Sequence, residues 1–149
     1  MADSYSYKGR EGVRMARAYR SDVDASFKDL SQVCRSINGK EVSGAVKLLE
    51  EAKLGKVPIR FVKFNKKCGH RKELGGMRGR YPKKSARMVL EVLRNALANA
   101  HYKGMEEKLV VRHASANKQN IYPRTASKGK AMRADYETAK IEIVLEELK

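Results

Sequence analysis

The sequence predicts an α+β fold: helices and antiparallel strands share one short chain, and a long cationic hairpin extends from the strands. Three observations predict it. Apolar residues recur at helical spacing in three segments. Apolar and acidic residues interleave near the C-terminus as in a strand. A strand-like run, Leu109-Val110-Val111, precedes that segment by about 30 residues.

Residues 1–12 are polar and read as a flexible N-terminal arm, which leaves residues 13–149 as a single domain. Arg14 to Asp24 alternates in places, with Ala16, Ala18 and Val23, and reads as the first strand. Ser26 suits the N-cap of a helix on which Phe27, Leu30, Val33, Cys34 and Ile37 share a face; Asn38-Gly39 stops it. A second helix carries Val42, Ala45, Val46, Leu49 and Ala52 and ends at Gly55, and Pro58 bars its continuation. Residues 57–80 form a basic insertion in which Gly69, Gly75, Gly76 and Gly79 oppose regular structure. It reads as an extended loop that needs a partner for order. The third helix has the clearest pattern, with Pro82 in its first turn, a stripe of Ala86, Val89, Leu90, Leu93, Ala96, Leu97 and Ala100, and a stop at Lys103-Gly104.

Ile141, Ile143 and Leu145 alternate with Glu142, Val144 and Glu146, the pattern of a strand with one wet face. Antiparallel pairing with Leu109–Val111 makes residues of about 111–141 an extended β-hairpin. Each arm then has roughly 15 residues and a reach of about 50 Å at about 3.3 Å per residue. A two-stranded ribbon without a packed face is marginal in water. Lys118, Arg124, Lys128, Lys130 and Arg133 therefore call for an anionic support.

Charge points the same way. The chain of 149 residues has 33 Lys and Arg against 17 Asp and Glu, a formal charge of +16. Three segments, Lys8–Arg20, Lys53–Arg87 and Lys108–Ala134, hold 25 of those bases and 2 of those acids; the remaining half is net acidic. Solubility alone does not require acids to be excluded from whole segments, so the segregation marks a phosphate-backbone binder. Arg17, Lys28, Lys63, Lys66, Lys67, Arg78 and Arg80 are candidate phosphate contacts, arginine by its planar fork and lysine as a point charge. Phe61, Phe64, Tyr81 and Tyr122, set among these bases, can stack on unpaired bases; for Phe61 and Phe64 core packing is an equal reading.

Other function classes find less support. No purely apolar run exceeds three residues, Met88 to Leu90 being one, so no membrane partner is expected. Met1 to Arg20 has no apolar stretch to serve as a secretory signal. Two cysteines suggest reduced thiols in the cytosol. Cys68 and His70 make at most half a metal site, and the paired acids, such as Glu50-Glu51, point to different faces. No nucleophile, metal or cofactor is therefore expected. A chromatin-type binder, or an RNA-modifying enzyme using Cys68 or His70, are the alternatives.

Gly79-Arg-Tyr-Pro-Lys-Lys-Ser-Ala-Arg87, continued by Asn95-Ala-Leu-Ala-Asn99-Ala100, resembles the third helix of the universal large-subunit ribosomal protein family numbered twenty-two in bacteria and seventeen in eukaryotes. Phe27-Lys28 and Ile37-Asn-Gly39-Lys40 are similar to the ends of its first helix. Phe64-Asn65 through Gly69-His70-Arg71 resembles the insertion of its archaeal and eukaryotic branch. The likeness spans about Arg14 to Leu148. It implies a three-stranded antiparallel sheet with three helices packed on one face, and a projecting hairpin. It implies a structural, non-enzymatic protein in the cytoplasm, on the ribosome, with no cofactor. The implied partners are large-subunit ribosomal RNA, neighbouring ribosomal proteins and the nascent peptide in the exit tunnel, in single copy rather than as a homo-oligomer. It directs His70, Arg71, Lys83, Lys84 and Arg87 toward RNA, and places Arg124, Lys128, Lys130 and Arg133 in the hairpin. There the chain departs from the family, whose hairpin is often richer in consecutive arginines.

Overall fold

The computed structural model describes residues 5–9, 12–105, 108–129 and 132–148. In chain order the elements are β1 (Met15–Val23), α1 (Phe27–Ile37), α2 (Val42–Leu54), β2 (Ile59–Arg60), β3 (His70–Arg71), β4 (Met77–Arg80), α3 (Lys83–Tyr102), β5 (Leu109–Tyr122) and β6 (Tyr136–Glu147). The larger sheet is three-stranded and antiparallel, in the order β1-β6-β5.

Side-chain size is divided across this sheet. The central strand contributes Ile141, Ile143 and Leu145 to the core. Opposite Ile143 stand Ala18 and Ala114, and opposite Leu145 stands Ala16 on the β1 side. Large groups in the middle supply apolar area, and small ones on the flanks let helix side chains come close. Leu30, Val33 and Ile37 of α1, Leu49 of α2, and Val89, Leu93 and Ala96 of α3 join the same buried cluster. Cys34 belongs to it too, and burial pushes its thiol up to about 12, which makes it an inert core group.

The helix boundaries follow the local signals. Ser26 occupies the N-cap position of α1, although its side chain makes no cap hydrogen bond. Asn38 and Gly39 end α1, and Gly39 then donates its N–H to Val111 of β5. Gly55 closes α2 in the left-handed conformation, at φ 77°.

Two sequence expectations are corrected. The strand with one wet face has none: Glu142, Val144 and Glu146 of β6 are all buried. Residues 5–9 lie against that second face. Glu142 accepts hydrogen bonds from the Ser6 N–H at 2.9 Å and its hydroxyl at 2.6 Å. Tyr7 stacks on His113, and Arg17 donates to the Lys8 carbonyl. Burial pushes the Glu142 carboxyl upward, but the Ser6 bonds and Lys140 outweigh it and hold the group below the ordinary 4.5. A carboxylate depressed in the folded state stabilises it above the ordinary value and loses that contribution as pH falls through the lower one. Acidification below pH 4.5 is therefore expected to free residues 5–9. Hydrogen exchange at the Ser6 amide reads it: protection near neutrality, lost in acid, and lost at neutrality in Glu142→Gln.

The second correction concerns residues 57–80, expected as an extended loop without regular structure. They fold into a small antiparallel sheet of order β2-β4-β3. Gly79 permits it. A Cβ there would stand 2.8 Å from the Ile59 carbonyl oxygen and 2.5 Å from Leu74. Buried Gln32 of α1 ties the sheet to the body by accepting from the N–H groups of Val62 and Lys63, at 3.0 and 3.2 Å. Gln32→Ala strands both donors. It is expected to cost about 1–3 kcal/mol, read as a lower urea midpoint with earliest exchange at Val62 and Lys63.

The hairpin pairs continuously but for two irregularities, from Leu109↔Glu147 to Tyr122↔Tyr136, with an isolated bridge at Thr125↔Arg133. One irregularity, between Lys118 and Ile121, meets Asp22, held at φ 50°. The Asp22 N–H donates to Gln119, and its carboxylate accepts from Asn120 and Thr138. Beyond Ala116 the side chains of β5 are exposed.

Candidate nucleic-acid interface

The first turns of α1 and α3, the insertion and the base of the hairpin converge on one region. Phe27, which opens α1, meets Phe64 of the insertion edge to face, with ring centroids 5.5 Å apart. The Lys118 ammonium lies 5.8 Å from the Phe27 ring and that of Lys28 5.7 Å from the Phe64 ring. Lys84, in the first turn of α3, pairs with Asp24 at 2.8 Å. That hydrogen bond, with one from the Tyr136 hydroxyl, holds the Asp24 carboxyl below its usual range.

Pairing separates two populations of cations. In the body, Arg14, Arg20, Arg94, Lys108, Arg112 and Lys140 each form a salt bridge with a glutamate. From Lys53 to Lys83 the chain carries eleven Lys and Arg. None of them forms a salt bridge among the described residues. Cations held by carboxylates have part of their charge matched locally, as Lys84 has with Asp24 and Lys118 with Glu137 inside this region. The unpaired ones carry a field that only an external anion can neutralise.

Several candidates have their orientation set by neighbours. Arg71 donates to the Gly79 carbonyl and lies 5.1 Å from the Tyr81 ring centroid. Arg80 lies 5.6 Å from the Phe61 ring and donates to the Cys68 sulfur. His70 is exposed and donates from Nδ1 to the Gly76 carbonyl, which leaves Nε2 as the ring's remaining polar atom. Lys63, Lys66, Lys67, Arg78, Lys83 and Arg87 are exposed. Lys118 is paired with Glu137, and Arg124 lies over the Tyr136 ring. Lys128 and Arg133 are exposed near the hairpin end; Lys130 lies outside the described residues. Arg17 stands apart, on the second face of the large sheet with residues 5–9.

The structure separates the two phenylalanines that sequence alone left equal. Phe61 is buried at 2% exposure, whereas Phe64 is 41% exposed. Sequence reasoning missed Asp29, a half-buried acid at the centre of this basic region. Its place directly after Phe27-Lys28 was the available signal. Burial raises its carboxyl, and nearby Arg80 opposes that rise. Among the described residues no three His, Cys, Asp or Glu side chains gather as a metal site, and no helix is long and apolar enough to cross a membrane.

The model of the family described as ribosomal protein L22p/L17e matches residues 18–146. The large ribosomal subunit protein uL22 of Archaeoglobus fulgidus is 39% identical over 147 residues, covering 96% of this chain and 95% of that protein. That of Methanocaldococcus jannaschii is 40% identical over 140 residues, covering 90% and 88%. That of Staphylothermus marinus is 36% identical over 151 residues, covering 97% and 96%. Matched nearly end to end at this identity, the chain belongs to the ribosomal protein L22p/L17e family, a family of ribosomal proteins and not of enzymes.

Proposed function

We propose that this chain is a structural component of the large ribosomal subunit, in the cytoplasm, that binds ribosomal RNA and helps it assemble. The observation that carries the reading is the run of eleven cations from Lys53 to Lys83 without a salt bridge among the described residues, of which Arg60, Arg71, Arg78 and Arg80 stand on the small sheet. Ribosomal RNA supplies phosphates at the density such a surface requires. Residues 13–149 act as one domain, with three helices on one face of the sheet and residues 1–12 as an arm. His70, Arg71, Arg78, Arg80, Lys83, Lys84 and Arg87 face RNA, with Lys28, Lys63, Lys66 and Lys67. The remaining paired face meets neighbouring ribosomal proteins.

The hairpin projects through RNA, with Lys118, Arg124, Lys128, Lys130 and Arg133 neutralised along it, and its end lines the nascent-peptide exit tunnel. The exposure of residues 117–125 supports this, because such a ribbon gains support from what surrounds it. The test is a photocrosslinking side chain in place of Lys128 in chains incorporated into subunits. Crosslinks to ribosomal RNA and to a stalled nascent peptide are expected. Crosslinks to neither contradict the placement.

A further inference from the structure

A cleft of about 490 Å³ lies between the start of α1 and the insertion, lined by Ser26, Lys28, Asp29, Phe64, Lys66 and Arg80, among others. Its size falls in the range of small-molecule sites, roughly 300–1,000 Å³. Its chemistry is mixed in an informative way. Lys28, Lys66 and Arg80 suit phosphate. Phe64 offers an exposed aromatic ring, held by Phe27 and presented from a backbone at φ 55°, a conformation a bulky residue rarely adopts.

Asp29 does not suit phosphate. A carboxylate in a phosphate site repels its ligand, and this one makes no hydrogen bond or ion pair among the described residues. It is an unused acceptor, half-buried, in a cleft that is otherwise cationic and aromatic. Its burial raises the carboxyl, the mark of an acceptor partly stripped of water. A ligand that satisfies all three features brings a flat ring, hydrogen-bond donors on its edge, and phosphates beside it.

We infer that the cleft receives an unpaired nucleotide extruded from folded RNA, its base stacked on Phe64, its edge donating to Asp29 and its flanking phosphates on Lys28, Lys66 and Arg80. Guanine fits best, because its N1–H and amino group are adjacent donors matched to the two carboxylate oxygens. A base inside an A-form helix cannot reach the cleft, whereas loops and bulges splay bases outward. The inference rests on the RNA-binding reading and adds to it a specific subsite.

The test uses the full chain and three short RNA hairpins: one fully paired, one with a single bulged guanosine, one with a single bulged uridine. The guanosine bulge is expected to bind about tenfold tighter than the paired stem, the scale of one base–aromatic stack. Phe64→Ala, at an exposed position, should remove that advantage and leave the paired stem unchanged. Asp29→Asn should abolish the preference for guanosine over uridine while both bulges still outbind the paired stem. Equal affinity of the wild-type chain for all three RNAs overturns the subsite and leaves the RNA-binding reading standing. So does an equal loss on all three in Phe64→Ala. Failure to bind any of them at low salt overturns both. A cleft that instead seats a side chain of a neighbouring protein leaves all RNA affinities untouched by either substitution, which also overturns the proposal.

Discussion

Raising salt from 50 to 200 mM is expected to weaken RNA binding by this chain by roughly 10³- to 10⁵-fold, the loss that accompanies about six to ten phosphate contacts. The expectation follows from the unpaired cations of the insertion and the first turn of α3. Each phosphate neutralised releases condensed counterions, so log affinity should fall against log salt at a slope of about −0.7 to −0.9 per contact. Ten contacts give a slope of about −7 to −9. The triple substitution Lys63→Gln, Lys66→Gln, Lys67→Gln removes three cations that form no salt bridge among the described residues. Its slope should be shallower by about two to three, with thermal stability unchanged. Removing Arg94 and Lys108, which pair with Glu50 and Glu41 in the body, should leave the slope where it was. A slope near zero for the wild-type chain contradicts the electrostatic account.

Ile143→Ala is expected to cost about 2–5 kcal/mol, a large part of the roughly 5–15 kcal/mol that holds a domain together. Ile143 is fully buried on the central strand, and its two sheet neighbours are already alanines, Ala18 and Ala114. No larger side chain stands across from it on either neighbouring strand to collapse into the space, so the cavity persists and the loss tends to the upper end. Ile143→Val, which removes one methylene, should cost about 0.5–1.5 kcal/mol. Urea unfolding followed by circular dichroism measures both. A loss under 1 kcal/mol for the alanine variant contradicts the division of side-chain size across the sheet.

The body was legible in the sequence because its elements bury one face at a regular period. Leu30, Val33 and Ile37, or Val89, Leu93 and Ala96, can be read as stripes without knowing what covers them. The insertion offered no such period. β2 and β3 are two residues long, too short for alternation, and Gly79 looks like a strand breaker until its contact with Ile59 is seen. The second face of β6 failed for a related reason. Glu142 and Glu146 read as solvated because the cover, residues 5–9, lies more than 130 residues away in sequence. In the site, charge segregation identified the cationic elements. Which of Phe61 and Phe64 is free to stack was invisible, since both sit among lysines and arginines. Asp29 escaped notice because a single acid in the first turn of a helix has an ordinary explanation in the helix dipole.

The central claim is that the unpaired cations from Lys53 to Lys83 are matched to the RNA of the large ribosomal subunit. Sedimentation of a cell extract containing the tagged chain tests it most directly. At low salt the chain should travel wholly with the large subunit, and it should leave that peak only when salt is raised to molar concentration. A chain that runs free at the top of the gradient at low ionic strength, or that sediments with the small subunit alone, contradicts the account.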